Sequence, residues 1–235
     1  MKSKNKSRGV LSNFLHLFLP EVCVVCGQEL LEGEMGACLS CLYKLPKTNN
    51  YKIKDNKAEI LMAGRIPFER IACYCVYTEG GVLPPLIHNL KYYHKKEIGV
   101  LLGSMFAEDL AESDFIKPVS MIVPVPLHPK KKKSRGYNQA EIIAQGMSEV
   151  TSIPLVTDNL IRVLHNPTQT KLTKTERWEN VKNIFDVKDK LLFENQHILL
   201  VDDVITTGST AEACGIALQK CKDIKISIAT IGEVF

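Results

Sequence analysis

The sequence predicts an α/β fold: a parallel sheet flanked by helices, preceded by a small amino-terminal zinc-binding module. Three observations carry this expectation. Short apolar runs of strand length alternate with helix-length segments through the region 61–235. One such run, Ile198 to Val201, is continuously apolar and ends in two carboxylates and a turn of small hydroxyl residues. Two Cys-x-x-C pairs stand near the amino terminus. Strands alternating with helices require right-handed crossovers and therefore a parallel sheet. A strand that is apolar at every position, rather than at every second one, is buried on both faces.

The stretch ILLVDDVITTGST, Ile198 to Thr210, organises the rest. Asp202 and Asp203 fall at the carboxyl end of the strand, where open parallel sheets bind ligands. An ionised carboxylate only accepts hydrogen bonds, so neighbouring carboxylates suit the neighbouring hydroxyls of a ribose. Thr206, Thr207, Gly208, Ser209 and Thr210 then lead into a helix expected from Ala211 to Lys220. Backbone N–H groups, hydroxyls and the helix dipole converge there on one point, which suits a phosphate. Gly208 permits a positive φ or a close approach of the anion to the backbone. Charge-assisted hydrogen bonds of this kind contribute roughly 1.5 to 3 kcal/mol each. Ser209 and Glu212 also have capping-box spacing, so part of the turn can be read as a plain helix start.

Length and composition set the outer bounds. The chain has 235 residues, 45% apolar and 24% charged, which is room for one sizeable core and a small extra module. No membrane-spanning run is present, and a cytoplasmic, reducing location is expected. A net charge of +4 does not by itself mark a nucleic-acid protein. Near the start, Leu11, Phe14, Leu15 and Phe18 recur at helical spacing behind Lys2, Lys4, Lys6 and Arg8. They predict an amphipathic helix packed on the body of the chain, with a membrane-surface helix as the alternative.

Cys23, Cys26, Cys38 and Cys41 carry the second signal, two knuckle pairs separated by eleven residues with Gly27 after the first. Four thiolates close a tetrahedral sphere and leave no open position, so the expectation is structural Zn2+ and not catalysis. Residues 1–60 are accordingly read as the amphipathic helix, the zinc module and a linker, and 61–235 as the main domain. Pro46 to Glu59 is rich in Lys, Asn, Thr and Asp and reads as a surface linker.

Within the main domain, Ile71 to Thr78 is expected as a strand with Cys73 and Cys75 as small core residues on one face. Leu83 to Tyr93 and Glu97 to Leu110 are expected as helices, with Lys91, Lys95 and Lys96 on a solvated turn between them. Met121 to Val125 is a short strand, after which Pro124 and Pro126 turn the chain out of the sheet as a loop. Five cations follow within six residues, Lys130 to Lys133 and Arg135. A solvated loop, a nucleic-acid patch and a clamp for pyrophosphate oxygens compete for that run. Its position at a strand's carboxyl end favours the clamp for Arg135, with Lys133 a second candidate, while the outer lysines suit DNA or solvent better. Gly136 to Ala140 enters a helix running to about Gly146. Leu155 to Arg162 and Ile184 to Val187 are plausible strands, and Lys225 to Ile231 an alternating one. The polar stretch Leu164 to Asn180 is long enough to be either functional or disordered. His88, His94, His128, His165 and His197 lack metal-like pairing.

Together these pieces resemble the ComF family, phosphoribosyltransferase-like proteins associated with bacterial competence. The resemblance rests on the paired cysteines, LIHNLKY at Leu86 to Tyr92, VPVPLHP and RGYNQA between Val123 and Ala140, TQTKLTKTERWEN at Thr168 to Asn180, and VDDVITTGST. It implies a phosphoribosyltransferase-like sheet that binds phosphoribosyl pyrophosphate with Mg2+. Asp202 and Asp203 would hold the ribose, and Thr206 to Thr210 the 5'-phosphate. Val123 to Pro126 would form the pyrophosphate loop, with Val125 and Pro126 binding the ligand, Arg135 would help neutralise the leaving group, and Leu164 to Asn180 would cover the site. A hood that selects a base is not recognisable. Two functions follow: a transferase acting on an unnamed acceptor, or a non-catalytic sensor that engages single-stranded DNA and competence or recombination proteins during DNA uptake. Tyr92, Tyr93 and Tyr137 could then stack on bases, ordinary packing being the alternative.

Overall fold

The structure, a computed structural model, describes residues 20–163 and 184–234. The expected amino-terminal helix around Leu11 to Phe18 and the loop Leu164 to Asn180 lie outside those residues.

Four parallel strands form the sheet, in the order β1 (Ile71–Val76), β6 (Lys225–Glu233), β5 (His197–Ile205), β2 (Met121–Pro124). Helices cover both faces. On one face α3 (Leu83–Tyr92), α4 (Lys96–Ala111) and α6 (Gln139–Thr151) share a core with Leu199 and Val201, and the cysteine module joins it through Leu42 of its short helix α1 (Leu39–Tyr43) and through Leu45. On the other, α2 (Lys57–Met62) and α7 (Ser209–Leu218) pack with Ile198 and Leu200. The continuous apolar run of β5 is thereby explained, since alternate residues serve two different cores.

β6 was expected to alternate but is buried from Ile226 to Glu233, because it lies inside the sheet. Its polar residues are satisfied internally: Ser227 Oγ lies 2.9 Å from His197 Nε2, and Thr230 Oγ1 donates to the Gly232 carbonyl at 3.1 Å. The sheet is not the whole β-structure. β3 (Leu160–Arg162) and β4 (Phe185–Val187) pair antiparallel in a separate ribbon. Asn159 joins its ends, accepting from Asp189 N at 2.7 Å and donating to the Asp189 carbonyl at 2.8 Å.

Two further expectations fail. The basic run is not a loop but α5 (Pro129–Arg135), exposed throughout Lys130 to Ser134. His128 Nδ1 caps it by accepting from Lys130 N at 3.1 Å, Pro129 sits in the first turn, and Gly136 ends it at φ 80°. Those start and stop signals prevail over four adjacent like charges. Residues 46–59 are likewise no surface linker. Thr48 N donates to the Tyr74 carbonyl and Val76 N to the Pro46 carbonyl, both at 2.9 Å, so the chain covers the outer edge of β1. Asn50, Asn56 and Glu59 are buried. Asn50 Oδ1 accepts from Cys73 N at 2.9 Å, Asn56 Nδ2 donates to the Ile71 carbonyl at 2.8 Å, and Glu59 Oε1 accepts from Ile71 N at 3.0 Å. Polar residues that suggest solvent are here the partners of an edge strand's free backbone groups. Cys73 and Cys75 are core residues, and burial pushes both thiols up to about 12.

Candidate functional site

A cleft opens at the carboxyl ends of the central strands. Its floor includes Val125, Leu200 and Thr230, one wall carries Asp202, and the rim is the turn Thr206 to Thr210. Gly208 has φ 75° and occupies the N-cap of α7, with no side-chain cap. Ser209 is therefore the first helical residue, and the capping box suggested by Ser209 and Glu212 does not form. Gly208 therefore supplies no side-chain oxygen to the first amides of this ten-residue helix, of which Ser209 N makes one long contact, 3.5 Å to Thr207 Oγ1. The positive φ at Gly208 is what favours glycine there, and a Cβ would in addition meet the Met62 sulfur of α2 packed behind the turn. Thr207 and Ser209 hydroxyls lie 2.9 Å apart at the rim, both exposed.

The two acids occupy different surroundings. Asp202 is half-buried, lines the cleft, and accepts from Asp203 N at 2.8 Å through Oδ1. Asp203 is 5% exposed and lies away from the cleft lining, with Lys91 Nζ of α3 2.8 Å from its Oδ2. The angles of that contact fall short of a hydrogen bond, which makes it an ion pair around an otherwise unpartnered buried oxygen. Burial raises the Asp202 carboxyl to about 8. The charge of Asp203 adds to this, while the Asp203 amide and Lys91 oppose it. The wall of the cleft thus holds a carboxyl that keeps its proton near neutrality until a cation or donor arrives.

Of the other expected residues, Val125 lines the cleft and is held by Asn138, whose Nδ2 donates to its carbonyl at 2.9 Å. Pro126 follows it, outside the lining. Arg135 is also outside: its guanidinium lies 5.6 Å from the Tyr92 ring centroid and donates to Gln139 Oε1. Tyr137 is buried and donates to the Leu90 carbonyl, which is ordinary packing, whereas Tyr92 and Tyr93 are about 60% exposed. Two cations escaped sequence reasoning. Lys91 reads as a solvated charge, yet it follows the apolar positions Leu83, Leu86, Ile87 and Leu90 at the margin of a buried helix face. Arg65 lies in a segment with no motif and reaches the turn from behind, donating to the Thr207 carbonyl at 2.5 Å.

The four cysteines form a separate centre. Their sulfurs all lie within 4.8 Å of one another, and Cys26 Sγ to Cys38 Sγ is 3.8 Å. Four sulfurs about 2.3 Å from one tetrahedral zinc stand about 3.8 Å apart, so the cluster fits a metal ion of that size. Gly27 N donates to the Cys23 carbonyl at 2.9 Å and Cys41 N to the Cys38 carbonyl at 3.0 Å, the two turns that present the thiols. No other group of three or more metal-ligating side chains occurs among the described residues.

The DNA utilization protein YhgH of Salmonella typhi is 30% identical over 218 residues, covering 86% of this chain and 93% of that protein. The chain belongs to the ComF family. Other ComF relatives agree: competence protein F of Haemophilus influenzae is 34% identical over 139 residues, 57% of this chain and 61% of that protein's length. Competence protein ComFC of Bacillus subtilis is 30% identical over 157 residues, 66% of this chain and 62% of that protein. No family model matches the chain. Solved structures that overlap in part include the glutamine phosphoribosylpyrophosphate amidotransferase of B. subtilis, at 18% identity and a TM-score of 0.44, over 61% of this chain and 30% of that one. The purine phosphoribosyltransferase of Pyrococcus horikoshii has 12% identity and a TM-score of 0.36, over 60% and 83%. No helix among the described residues is long and apolar enough to cross a membrane.

Proposed function

We propose that this ComF protein binds phosphoribosyl pyrophosphate with magnesium, transfers its 5-phosphoribosyl group to an acceptor, and serves DNA uptake. The observation that carries the reading is one cleft with Asp202 on its wall and the uncapped turn Thr206 to Thr210 on its rim. A ribose 5-phosphate needs those two things a few ångströms apart: an acceptor for hydroxyls and a cradle of N–H donors for a dianion. Asp202, backed by the Asp203–Lys91 pair, would hold the ribose hydroxyls, and the turn the 5'-phosphate. Val125 and Pro126 would border the pyrophosphate, and Arg135, leaving Gln139, would meet its charge. Magnesium would supply charge neutralisation on the pyrophosphate, held mostly by the ligand's own oxygens and water. In the transfer the bond from C1 to the pyrophosphate oxygen breaks, both electrons leave with pyrophosphate, and an acceptor lone pair forms the new bond at C1. Positioning and charge stabilisation suffice for this, without a protein nucleophile. The cysteine cluster would hold structural zinc. Phosphorus NMR of the ligand with protein and magnesium tests the reading: the 5'-phosphate resonance should shift on binding. A spectrum identical to that of free ligand contradicts it, and released pyrophosphate would establish turnover.

A second reading rests on α5, where Lys130 to Lys133 are all exposed and Tyr92 and Tyr93 stand exposed with Arg135 over the Tyr92 ring. Such a surface suits single-stranded DNA, through phosphate contacts and base stacking. The double substitution Lys131→Ala, Lys132→Ala should weaken binding of single-stranded oligonucleotides and lower the slope of log K against log salt by about 1 to 1.5. An unchanged slope would remove α5 from any DNA path.

A further inference from the structure

We infer that Arg65 is a positioning residue of the phosphate cradle: it aims the Gly208 amide into the cleft by holding the preceding carbonyl outward. The inference rests on the phosphate reading of the turn and adds a residue from outside the motif. Arg65 Nη1 donates to the Thr207 carbonyl at 2.5 Å, and the same nitrogen lies 3.6 Å from Glu212 Oε2. In a planar trans peptide the carbonyl of one residue and the N–H of the next point in opposite directions. Anchoring the Thr207 oxygen behind the turn therefore turns the Gly208 N–H to the front, toward the cleft. Without that anchor the 207–208 peptide is held only by its neighbours, and the positive φ of Gly208 permits it to rotate.

Arg65 is itself placed by the segment that reads as a linker. Asn56 and Glu59 form a capping box at the start of α2, and the same two side chains bind both backbone groups of Ile71. Glu59 Oε1 also accepts from Arg70 Nε at 2.8 Å. That fixes α2 on β1, so Met62 packs behind Gly208 and Ile66 against Gly215 of α7. The guanidinium lies beside the first of these contacts, its Nη1 3.4 Å from where a Cβ on Gly208 would stand. Its role is also electrostatic, since a cation behind the turn adds to the helix dipole at an anion site.

The test uses the full, metal-loaded chain, with ribose 5-phosphate and magnesium pyrophosphate as separate probes. Arg65→Gln should weaken ribose 5-phosphate by about 10-fold or more, the scale of losing one aligned charge-assisted contact, and leave pyrophosphate within about two-fold. The Gly208 amide resonance, which should move in the wild type on adding ribose 5-phosphate, should move far less in the variant. Arg65→Lys, which still donates to the carbonyl, should recover most of the affinity. Glu212→Gln, which keeps the arginine, should lose at most about three-fold by the same reasoning. Retention of ribose 5-phosphate affinity in Arg65→Gln overturns the inference and leaves the phosphate site standing. Equal loss of both probes overturns it too, as a general disturbance of the fold. Failure of the wild type to bind ribose 5-phosphate overturns the phosphate reading first and the inference with it.

Discussion

Asp202→Asn is expected to abolish binding of phosphoribosyl pyrophosphate while making the protein more stable at pH 8. The ordinary aspartate value is 3.8, and burial and Asp203 raise Asp202 to about 8. Between those values the unfolded chain releases its proton and the folded chain keeps it, so the folded state binds more protons. Stability attributable to this group therefore falls as pH rises from about 4 to 8 and is lowest above the folded value. Asparagine removes the titration, and its Oδ1 can still accept from the Asp203 amide. The gain should be on the order of 2 kcal/mol at pH 8, less than the whole displacement because the cleft side of the group is wet. For a chain of this size that is a rise in Tm of about 5 °C. At pH 4 the two proteins should melt together, and an equal gain at both pH values would assign the effect to packing and not to charge. The same raised value makes ligand affinity increase with pH up to about 8, because a cation-bearing ligand must first displace the proton.

Removing the metal should have the largest effect on the fold. Apparent free energies for structural zinc in small peptides are about 10 to 16 kcal/mol, more than a segment as small as 20–45 can supply from its own core. Here the module is not an appendage. Cys23, Cys38, Cys41, Leu42 and Leu45 belong to the same apolar core as Ile98, Leu102 and Phe106 of α4, and residues 46–48 continue from it along β1. Chelation, or Cys38→Ser, should therefore expose α4 as well as unfold the module. The expected record is release of one zinc per chain, binding of a hydrophobic dye, and a Tm lower by more than about 10 °C. A chelated protein with unchanged Tm would show the four thiols to be a packed cluster that needs no metal.

How much of this was legible in the sequence follows from which residues act locally. The β5 run, the paired cysteines and the turn into α7 each declare themselves within a dozen residues, because burial on two faces, knuckle spacing and a glycine turn are local demands. Residues 46–59 did not, since Asn50, Asn56 and Glu59 use polar groups to satisfy β1 backbone some twelve to twenty-three residues on. The helix of α5 was hidden by charge, although His128, Pro129 and Gly136 had marked both of its ends. Lys91 and Arg65 were illegible for the same reason as each other. Each meets its partner, Asp203 or the Thr207 carbonyl, more than a hundred residues away, and single cations carry no periodicity. Within the site, two adjacent aspartates look equivalent in sequence. They were separated only by their surroundings, one on the cleft and one against α3.

The most direct measurement is calorimetry of the zinc-loaded protein with phosphoribosyl pyrophosphate and magnesium at pH 7 to 8, repeated on Asp202→Asn. The account predicts saturable binding of one ligand per chain, with proton release seen as an observed heat that varies with the buffer's ionisation enthalpy, and no binding to the variant. Absence of binding by the wild type, or equal binding by the variant, would contradict it.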